Sequence, residues 1–453
     1  MLKRVAQAIW GKFESRDEVL KFGLLGLMFG FIIGAYWGLR PIKDGIFAEI
    51  VGFDYQPMAK WVSLVIVSTL VVIYGKLIDT FPRHRVFYIL TIAYFIAAMV
   101  FWWALAHPVY GLPNCAPSPY RMVGWMWYVF VESYGSLIVA MFWGFTTDIT
   151  SDESGRRGFP LIALFGQMGN IFGPLFMRAK YLGFVNSAPI AAIAGVLTLA
   201  TALLMWVFMK VVPKSQFVGY GQVHHVAEKH DEEPGFLEGL KLLVTKSYLL
   251  GIFAIISIYE VIITIIDFQF KSAAKHAFPV EVDYSEYLAN YAVATGILAT
   301  VCVLLGINSI QRMMGITAAL VLVPLLVAVG VVMVWINPTS LETLFWVMVI
   351  GKAINYALNS PTQKQLYIPT SKDTKYKAQA WIEMFGSRGS KAAGSGVNAM
   401  KLFFKKGYGA AGVSMFATVS ALSSLGLIGV WLLAVVYVAK TYNKAVAENK
   451  LVC

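Results

Sequence analysis

The sequence Tyr-Trp-Gly-Leu-Arg-Pro-Ile-Lys-Asp at residues 36–44 closes the first long apolar run of the chain. It places three ionisable groups, those of Arg40, Lys43 and Asp44, directly after a segment long enough to cross a membrane. Charges in such a position either anchor a helix at the membrane surface or form a binding site. Pro41 can kink or end the helix. If the helix continues, Arg40 and Lys43 share one face, where two cations could bind a phosphate.

The composition indicates a polytopic helical membrane protein. Of the 453 residues, 58% are hydrophobic and 14% are charged, whereas soluble domains have about 45–50% and about 25%. The net charge of +12 does not indicate nucleic-acid binding, because basic loops that orient a membrane protein explain it more simply. The three cysteines are scattered, without the spacing of a metal site or a disulfide framework. We therefore expect neither a metal nor a cofactor.

About twelve apolar segments are long enough to span a bilayer. The predicted spans are residues 20–39, 57–78, 86–107, 122–147, 159–177, 189–212, 248–270, 287–307, 313–336, 341–358, 378–403 and 410–438. We predict an all-α membrane protein with an N-terminal half at 1–212, a cytoplasmic linker at 213–247 and a C-terminal half at 248–453. Six spans, a linker and six spans are the plan of the major facilitator transporters.

The loop between the second and third spans supports this plan. Residues 75–83 resemble the Gly-x-Leu-x-Asp-Arg-x-Gly-Arg loop of that superfamily, with departures at Thr80 and Pro82. Because that loop is cytoplasmic in the superfamily, the resemblance predicts cytoplasmic termini. Lys and Arg are then roughly twice as frequent inside as outside, which agrees with the positive-inside rule. We expect a multi-pass protein of a bacterial inner membrane.

Ionisable residues within the predicted spans are the strongest indication of function. A charge in hydrocarbon costs about 2.5–3.5 kcal/mol even on a lenient insertion scale, so these groups must line a cavity or pair with one another. One such pair would join Lys43 and Asp267 across the two halves. The charged residues in question are Glu132, Glu260, Asp267, Lys352, Glu383, Arg388 and Lys391. Asn170 is the polar exception in a glycine-rich stretch, 166–173, whose small residues predict close helix packing.

A second glycine-rich stretch, residues 386–396, looks superficially like a phosphate-binding loop. It lacks the Gly-x-x-x-x-Gly-Lys-Ser/Thr spacing, and no predicted strand precedes it, so it does not indicate an ATPase. Its small residues, together with Arg388 and Lys391, predict the wall of a cavity lined by cations.

Several motifs together resemble those of the ATP/ADP translocases of obligate intracellular bacteria and plastids. Residues 40–44 resemble that family's Arg-x-x-Lys-Asp, residues 132–136 and 142–145 its Glu-x-Trp-Gly-Ser and Phe-Trp-Gly-Phe, and residues 267–271 its Glu-Val-x-Trp-Lys. Residues 367–369 match a Tyr-Ile-Pro, and residues 377–391 resemble the Lys-Ala-x-x-x-x-Asp and Arg-x-x-Lys that follow it. The resemblance extends over nearly the whole chain.

The resemblance implies a transporter, not an enzyme, that exchanges ATP for ADP or related nucleotides by alternating access. Its implied partners are the nucleotide and the lipid bilayer, with no nucleic acid and no indicated oligomeric state. Cations would hold the phosphates, and acids would balance the cations when the site is empty. The candidate substrate-binding residues are Arg40, Lys43, Asp44, Glu132, Asn170, Asp267, Lys271, Glu383, Arg388 and Lys391.

Two alternatives remain open at this point. In place of the family's Glu and Asp, this chain has Asp267 and Glu383, which is compatible with another nucleotide. A proton-coupled importer of another nucleotide or organic anion would use the same scaffold, with the acids as proton-binding groups. A receptor or assembly factor would have little need for so many ionisable residues within its spans.

Overall fold

In the computed structural model, the predicted apolar spans are helical wherever their residues are described, apart from the last described residue of some. The structure describes residues 13, 15–217, 236–305, 309–371, 378–379, 381–382, 386–448 and 450–452, and no β-strand occurs among them. Ten segments of these residues are long and apolar enough to cross a membrane. The first of them, Arg16–Ile78, contains two helices that are separated by a turn at Gly52, where φ is 109°. The predicted all-α membrane fold is confirmed.

The helices are numbered here in chain order. They are α1 (Arg16–Phe47), α2 (Gln56–Thr80), α3 (Arg83–Ala106), α4 (Met122–Asp148), α5 (Asp152–Phe176), α6 (Ala188–Val211), α7 (Phe236–Thr245), α8 (Ser247–Ala277), α9 (Glu281–Leu304), α10 (Ser309–Ile336), α11 (Leu341–Ile354), α12 (Ser360–Gln365) and α13 (Ser387–Glu448). Two π-helical turns, Ala48–Gly52 and Asn355–Asn359, follow α1 and α11. The short helix α7 lies within the predicted linker.

The chain divides into two compact units. The first comprises Met1–Lys229 and Phe278–Val293, and the second comprises His230–Ala277 and Ala294–Cys453. Helix α9 therefore contributes its first turns to the first unit and the remainder to the second. The boundaries of two six-span halves, with a linker at 213–247, stay a prediction.

Glycines allow α1 and α5 to pack closely in the first unit. A Cβ atom on Gly169 would lie 2.9 Å from the backbone nitrogen of Gly34, and one on Gly173 would lie 2.9 Å from the Cα of Gly34. These are backbone atoms, which cannot move aside as a flexible side chain can. The close packing predicted for residues 166–173 is confirmed. It is possible because the glycines that face each other on the two helices carry no side chain.

Two charged residues in the first turns of α1 are buried, which the sequence did not predict. The Glu18 carboxylate accepts hydrogen bonds from the Ser154 hydroxyl at 2.7 Å and from Nη2 of Arg157 at 3.1 Å. The Lys21 ammonium donates to the carbonyl oxygen of Ile149 at 2.6 Å. These bonds satisfy both charges and hold the start of α1 against the junction of α4 and α5.

The loop motif at 75–83 contributes a contact between α3 and α4. Nη1 of Arg83 donates to the carbonyl oxygen of Gly144 at 2.7 Å, and Nε lies 2.7 Å from Oδ2 of Asp148. Both charged side chains are about one-third exposed, so the ion pair contributes little stability by itself. The contact sets the position of this loop against the end of α4.

In the second unit, α8 packs against the first part of α13. Gly409, with φ 58° and ψ −130°, breaks α13 into two helices, which correspond to the last two predicted spans. A Cβ atom on Gly394 would lie 2.8 Å from the carbonyl oxygen of Val261, so small residues again allow close approach. Nδ2 of Asn398 donates to the carbonyl oxygen of Thr264 at 3.0 Å, which fixes the register of the two helices.

Replacing Gly173 with Ala is expected to destabilise the protein by about 1–3 kcal/mol, because the new methyl group overlaps the α1 backbone. The matched control is Gly23→Ala on α1, where a Cβ atom would meet nothing within 4 Å. There the higher helix propensity of Ala should leave the stability unchanged or raise it slightly. Thermal unfolding of the detergent-solubilised variants measures both effects. Equal melting temperatures for the two variants would contradict the close packing.

Candidate functional site

The central feature of the first unit is an ion pair between Lys43 on α1 and Glu132 on α4. Helix α1 continues through Pro41 to Phe47, so the proline does not end it and Lys43 faces the interior of the unit. The Lys43 ammonium donates a hydrogen bond to Oε1 of Glu132 and lies 4.3 Å from the centroid of the Tyr128 ring. The Lys43 side chain is 5% exposed, whereas that of Glu132 is 35% exposed. The carboxylate therefore stands between the buried cation and accessible space.

The other two charges of the opening cluster lie in different surroundings. The Arg40 guanidinium lies over Trp37, 4.6 Å from the ring centroid, in a cation–π contact. The buried Asp44 carboxylate accepts a hydrogen bond from Nε2 of Gln56 at 3.0 Å. Arg40 and Lys43 are thus both on the continuing helix. Aromatic rings position Arg40, whereas the Glu132 carboxylate positions Lys43. Neither Gln56 nor Tyr128 was predicted from the sequence.

Asn170 on α5 is buried beside the glycine contact with α1. Only 8% of its surface is exposed, and its Oδ1 accepts no hydrogen bond from the residues that the structure describes. An unsatisfied buried acceptor costs about 1–3 kcal/mol, so it needs an explanation beyond packing. The role of Asn170 as a candidate substrate-binding residue stays a prediction.

The second unit has its own pairs of opposite charges. Oδ2 of Asp267 lies 2.8 Å from Nζ of Lys271, one turn away on α8. Oε2 of Glu260 lies 3.7 Å from Nζ of Lys391 on α13, and the Lys391 side chain is half exposed. At 100° per residue, Glu260, Asp267 and Lys271 fall within about 40° of one another around the helix axis. They form one charged stripe along α8.

Polar residues of α13 that the sequence analysis did not select contact the same helix, α8. Besides the bond from Asn398 to Thr264, the Lys401 ammonium donates to the Ser272 hydroxyl and lies 5.3 Å from the centroid of the Phe268 ring. Lys391, Asn398 and Lys401 recur at spacings of seven and three residues, which is a helical repeat. That spacing is the signal that could have identified Asn398 and Lys401.

Each unit brings some of the predicted site residues together. Lys43 pairs with Glu132 in the first unit, and Asp267 pairs with Lys271 in the second, where side chains four residues apart on a helix are neighbours. The pair expected between Lys43 and Asp267 stays a prediction. Arg388 is half-buried one turn before Lys391, and Glu383 lies outside the described residues.

These pairs are chemically suited to an anionic ligand. A phosphate oxygen can replace a carboxylate oxygen at a lysine ammonium without leaving the cation unpaired. The carboxylate that is displaced needs access to water or another donor. Glu132, which is one-third exposed, meets this requirement in the first unit. In the second unit the Glu260 carboxylate is only 18% exposed, whereas its partner Lys391 is half exposed and open to a ligand.

Lys43 is buried and Glu132 is partly exposed, so neutralising one residue should lower the unfolding free energy more than neutralising the other. Glu132→Gln leaves the buried Lys43 charge without its carboxylate, whereas Lys43→Gln leaves the partly solvated Glu132, which is less costly. We expect the first to lower the unfolding free energy by about 1–3 kcal/mol more than the second, after allowance for the exposure of Glu132. Thermal unfolding of the purified variants measures this difference. The double variant, which carries both Lys43→Gln and Glu132→Gln, is the control because it leaves neither charge unpaired. A larger loss in Lys43→Gln would contradict the described burial.

Structural comparison supports the fold. The nucleoside transporter NupG is 12% identical with a TM-score of 0.57, and the match covers 93% of this chain and 99% of that one. A bacterial homologue of the iron transporter ferroportin, in an inward-facing state, is 11% identical with a TM-score of 0.60, covering 93% and 100%. At these identities the likeness concerns the fold, which is that of major facilitator-like transporters.

Sequence comparison identifies the family. The ADP,ATP carrier protein 1 of Rickettsia typhi is 23% identical, and the match covers 99% of this chain and 98% of that protein. The chloroplastic ADP,ATP carrier protein 2 of Arabidopsis thaliana is 24% identical, covering 94% and 75%. The profile of the TLC ATP/ADP transporter family matches residues 2–114, 120–345 and 344–442. The chain therefore belongs to the TLC ATP/ADP transporter family and is a multi-pass membrane transporter.

Proposed function

We propose that this protein exchanges ATP for ADP, or closely related nucleotides, across a membrane by alternating access. The observation that carries the proposal is the match to ADP,ATP carrier proteins over nearly the whole chain. The ion pairs within the spans are consistent with it, because a nucleotide with several negative charges needs cations where water is scarce. Oxygens of the phosphates replace carboxylates at these cations.

The paired charges also suit obligatory exchange. In the empty carrier, Glu132 neutralises Lys43 and Asp267 neutralises Lys271, so each cation is stabilised without substrate. A bound nucleotide takes over the cations and releases the carboxylates. We infer that only the loaded carrier changes conformation readily, so that transport of one nucleotide requires the return of another.

The membrane, the orientation of the termini and the boundaries of the two halves are part of the same proposal. We place both termini on the cytoplasmic side of a bacterial inner membrane, on the basis of the basic residues of the loops. The two moving halves are residues 1–212 and 248–453, joined by a linker at 213–247. Arg40, Lys43, Lys271, Arg388 and Lys391 supply positive charge to the phosphates in this scheme.

Reconstitution in vesicles tests the exchange directly. Uptake of labelled ATP is measured with and without ADP inside, and again with an uncoupler. Exchange predicts uptake that requires internal ADP and survives the uncoupler. Uptake without internal nucleotide that is abolished by the uncoupler would instead identify a proton-coupled importer.

Within this function, Lys43→Ala is expected to reduce ATP/ADP exchange by at least about 10-fold while leaving the protein folded, because hydrogen bonds to charged groups contribute about 1.5–3 kcal/mol. The matched control is Lys76→Ala at an exposed position of α2, which should exchange at the wild-type rate. Initial exchange rates, normalised to folded protein in the vesicles, provide the measurement. Wild-type exchange by Lys43→Ala would remove Lys43 from the site.

A further inference from the structure

Lys352 is an ionisable residue of the spans that the site described above does not use. It lies near the middle of Leu341–Gln365, a segment long and apolar enough to cross a membrane. A lysine at that depth costs about 2.5–3.5 kcal/mol if it faces lipid, so its orientation and its partners decide its role.

The orientation of Lys352 follows from the burial pattern of α11. Met348 and Val349 are fully buried, whereas Trp346 and Ile350 are about half exposed. At 100° per residue, Lys352 lies within about 60° of the two buried residues and about 120° or more from the two exposed ones. It is therefore on the face of α11 directed into the protein, yet it is only half-buried. The exposed part of its side chain lies on the side of α11 away from Trp346 and Ile350.

The pairing of Lys352 differs from that of the other lysines in the spans. Lys43, Lys271 and Lys391 each lie beside a carboxylate. Across the residues that the structure describes, the Lys352 side chain makes neither an ion pair nor a hydrogen bond. A cation on an inward face, accessible but without a protein counter-charge, is suited to an anion that arrives from outside the chain.

The backbone next to Lys352 resembles the backbone next to Lys43. A π-helical turn, Asn355–Asn359, begins three residues after Lys352, and Ala48–Gly52 begins five residues after Lys43. Such turns are rare and occur frequently at functional sites, because they rotate the residues that follow and disturb the regular hydrogen bonds. Nδ2 of Asn359 donates to Oδ1 of Asn355 at 2.8 Å, so side chains stabilise this turn.

We propose that Lys352 binds a phosphate group of the transported nucleotide, as a further cation of the binding site contributed by α11. This inference rests on the nucleotide exchange proposed above. It adds a residue in the tenth predicted span to the cations that α8 and α13 contribute in the second unit, Lys271 and Lys391.

The test compares Lys352→Gln, Lys352→Arg and the control Lys364→Gln, an exposed lysine of the same apolar segment. In reconstituted vesicles, Lys352→Gln should raise the KM for ATP at least about 10-fold, the effect of losing one charge-assisted hydrogen bond. Lys352→Arg should stay within about 3-fold of wild type, because it keeps the charge, and Lys364→Gln should match wild type. A KM for Lys352→Gln equal to that of the control would overturn the inference.

A second measurement separates a binding role from a structural one. Lys352→Cys is made in a chain whose Cys115, Cys302 and Cys453 are replaced by Ser, and is treated with methanethiosulfonate reagents that add an ammonium or a sulfonate group. The ammonium reagent should restore the KM for ATP and the sulfonate reagent should not, and bound ATP should slow both reactions. Equal effects of the two reagents, or Lys352 variants that do not fold, would identify a structural residue and overturn the inference.

The outcomes also separate this inference from the function on which it rests. If wild-type vesicles exchange ATP for ADP and Lys352→Gln keeps the wild-type KM, only the role of Lys352 is wrong. If the wild-type protein moves neither nucleotide, the proposed function is wrong. If inorganic phosphate slows modification of Lys352→Cys and ATP does not, the ligand is free phosphate and the assignment to a nucleotide is overturned.

Discussion

The ion pair between Lys43 and Glu132 depends on α1 remaining a helix beyond Pro41. A proline inside a helix removes a hydrogen bond and costs about 3 kcal/mol, so the continuation needs support from tertiary contacts. The close glycine contact between α1 and α5 and the buried bond from Gln56 to Asp44 supply it on two sides of the helix. With α1 held there, Lys43 stays buried beside Glu132.

The two units repeat this arrangement in outline. In each, a charged helix packs through small residues against a helix that carries a buried Asn, namely α1 with Asn170 and α8 with Asn398. Lys43 and Asn170 are separated by the same number of residues as Lys271 and Asn398. Internal repeats of this kind are characteristic of secondary transporters, which place their binding residues at corresponding positions. The repeat explains why the charges come in two similar groups.

The sequence predicted the fold and the types of site residue, but not all of the residues. Glu132, Asp267 and Lys391 could be selected because a charge within an apolar span is costly and therefore rare. Gln56 and Tyr128 could not be selected in the same way, because polar and aromatic residues are common at helix ends and between helices. Their roles depend on which neighbour each one contacts, and no spacing along the chain specifies that.

By itself, the sequence determined that this chain is a helical membrane protein of the ATP/ADP translocase type, because span length, apolar content and motifs are properties of consecutive residues. Only the tertiary structure decided that Lys43 pairs with Glu132 and Asp267 with Lys271, and that Lys352 faces inward without a partner among the described residues. The physical reason is that the energy of a buried charge depends on the distance to its counter-charge and on access to water. Packed helices set both of these quantities.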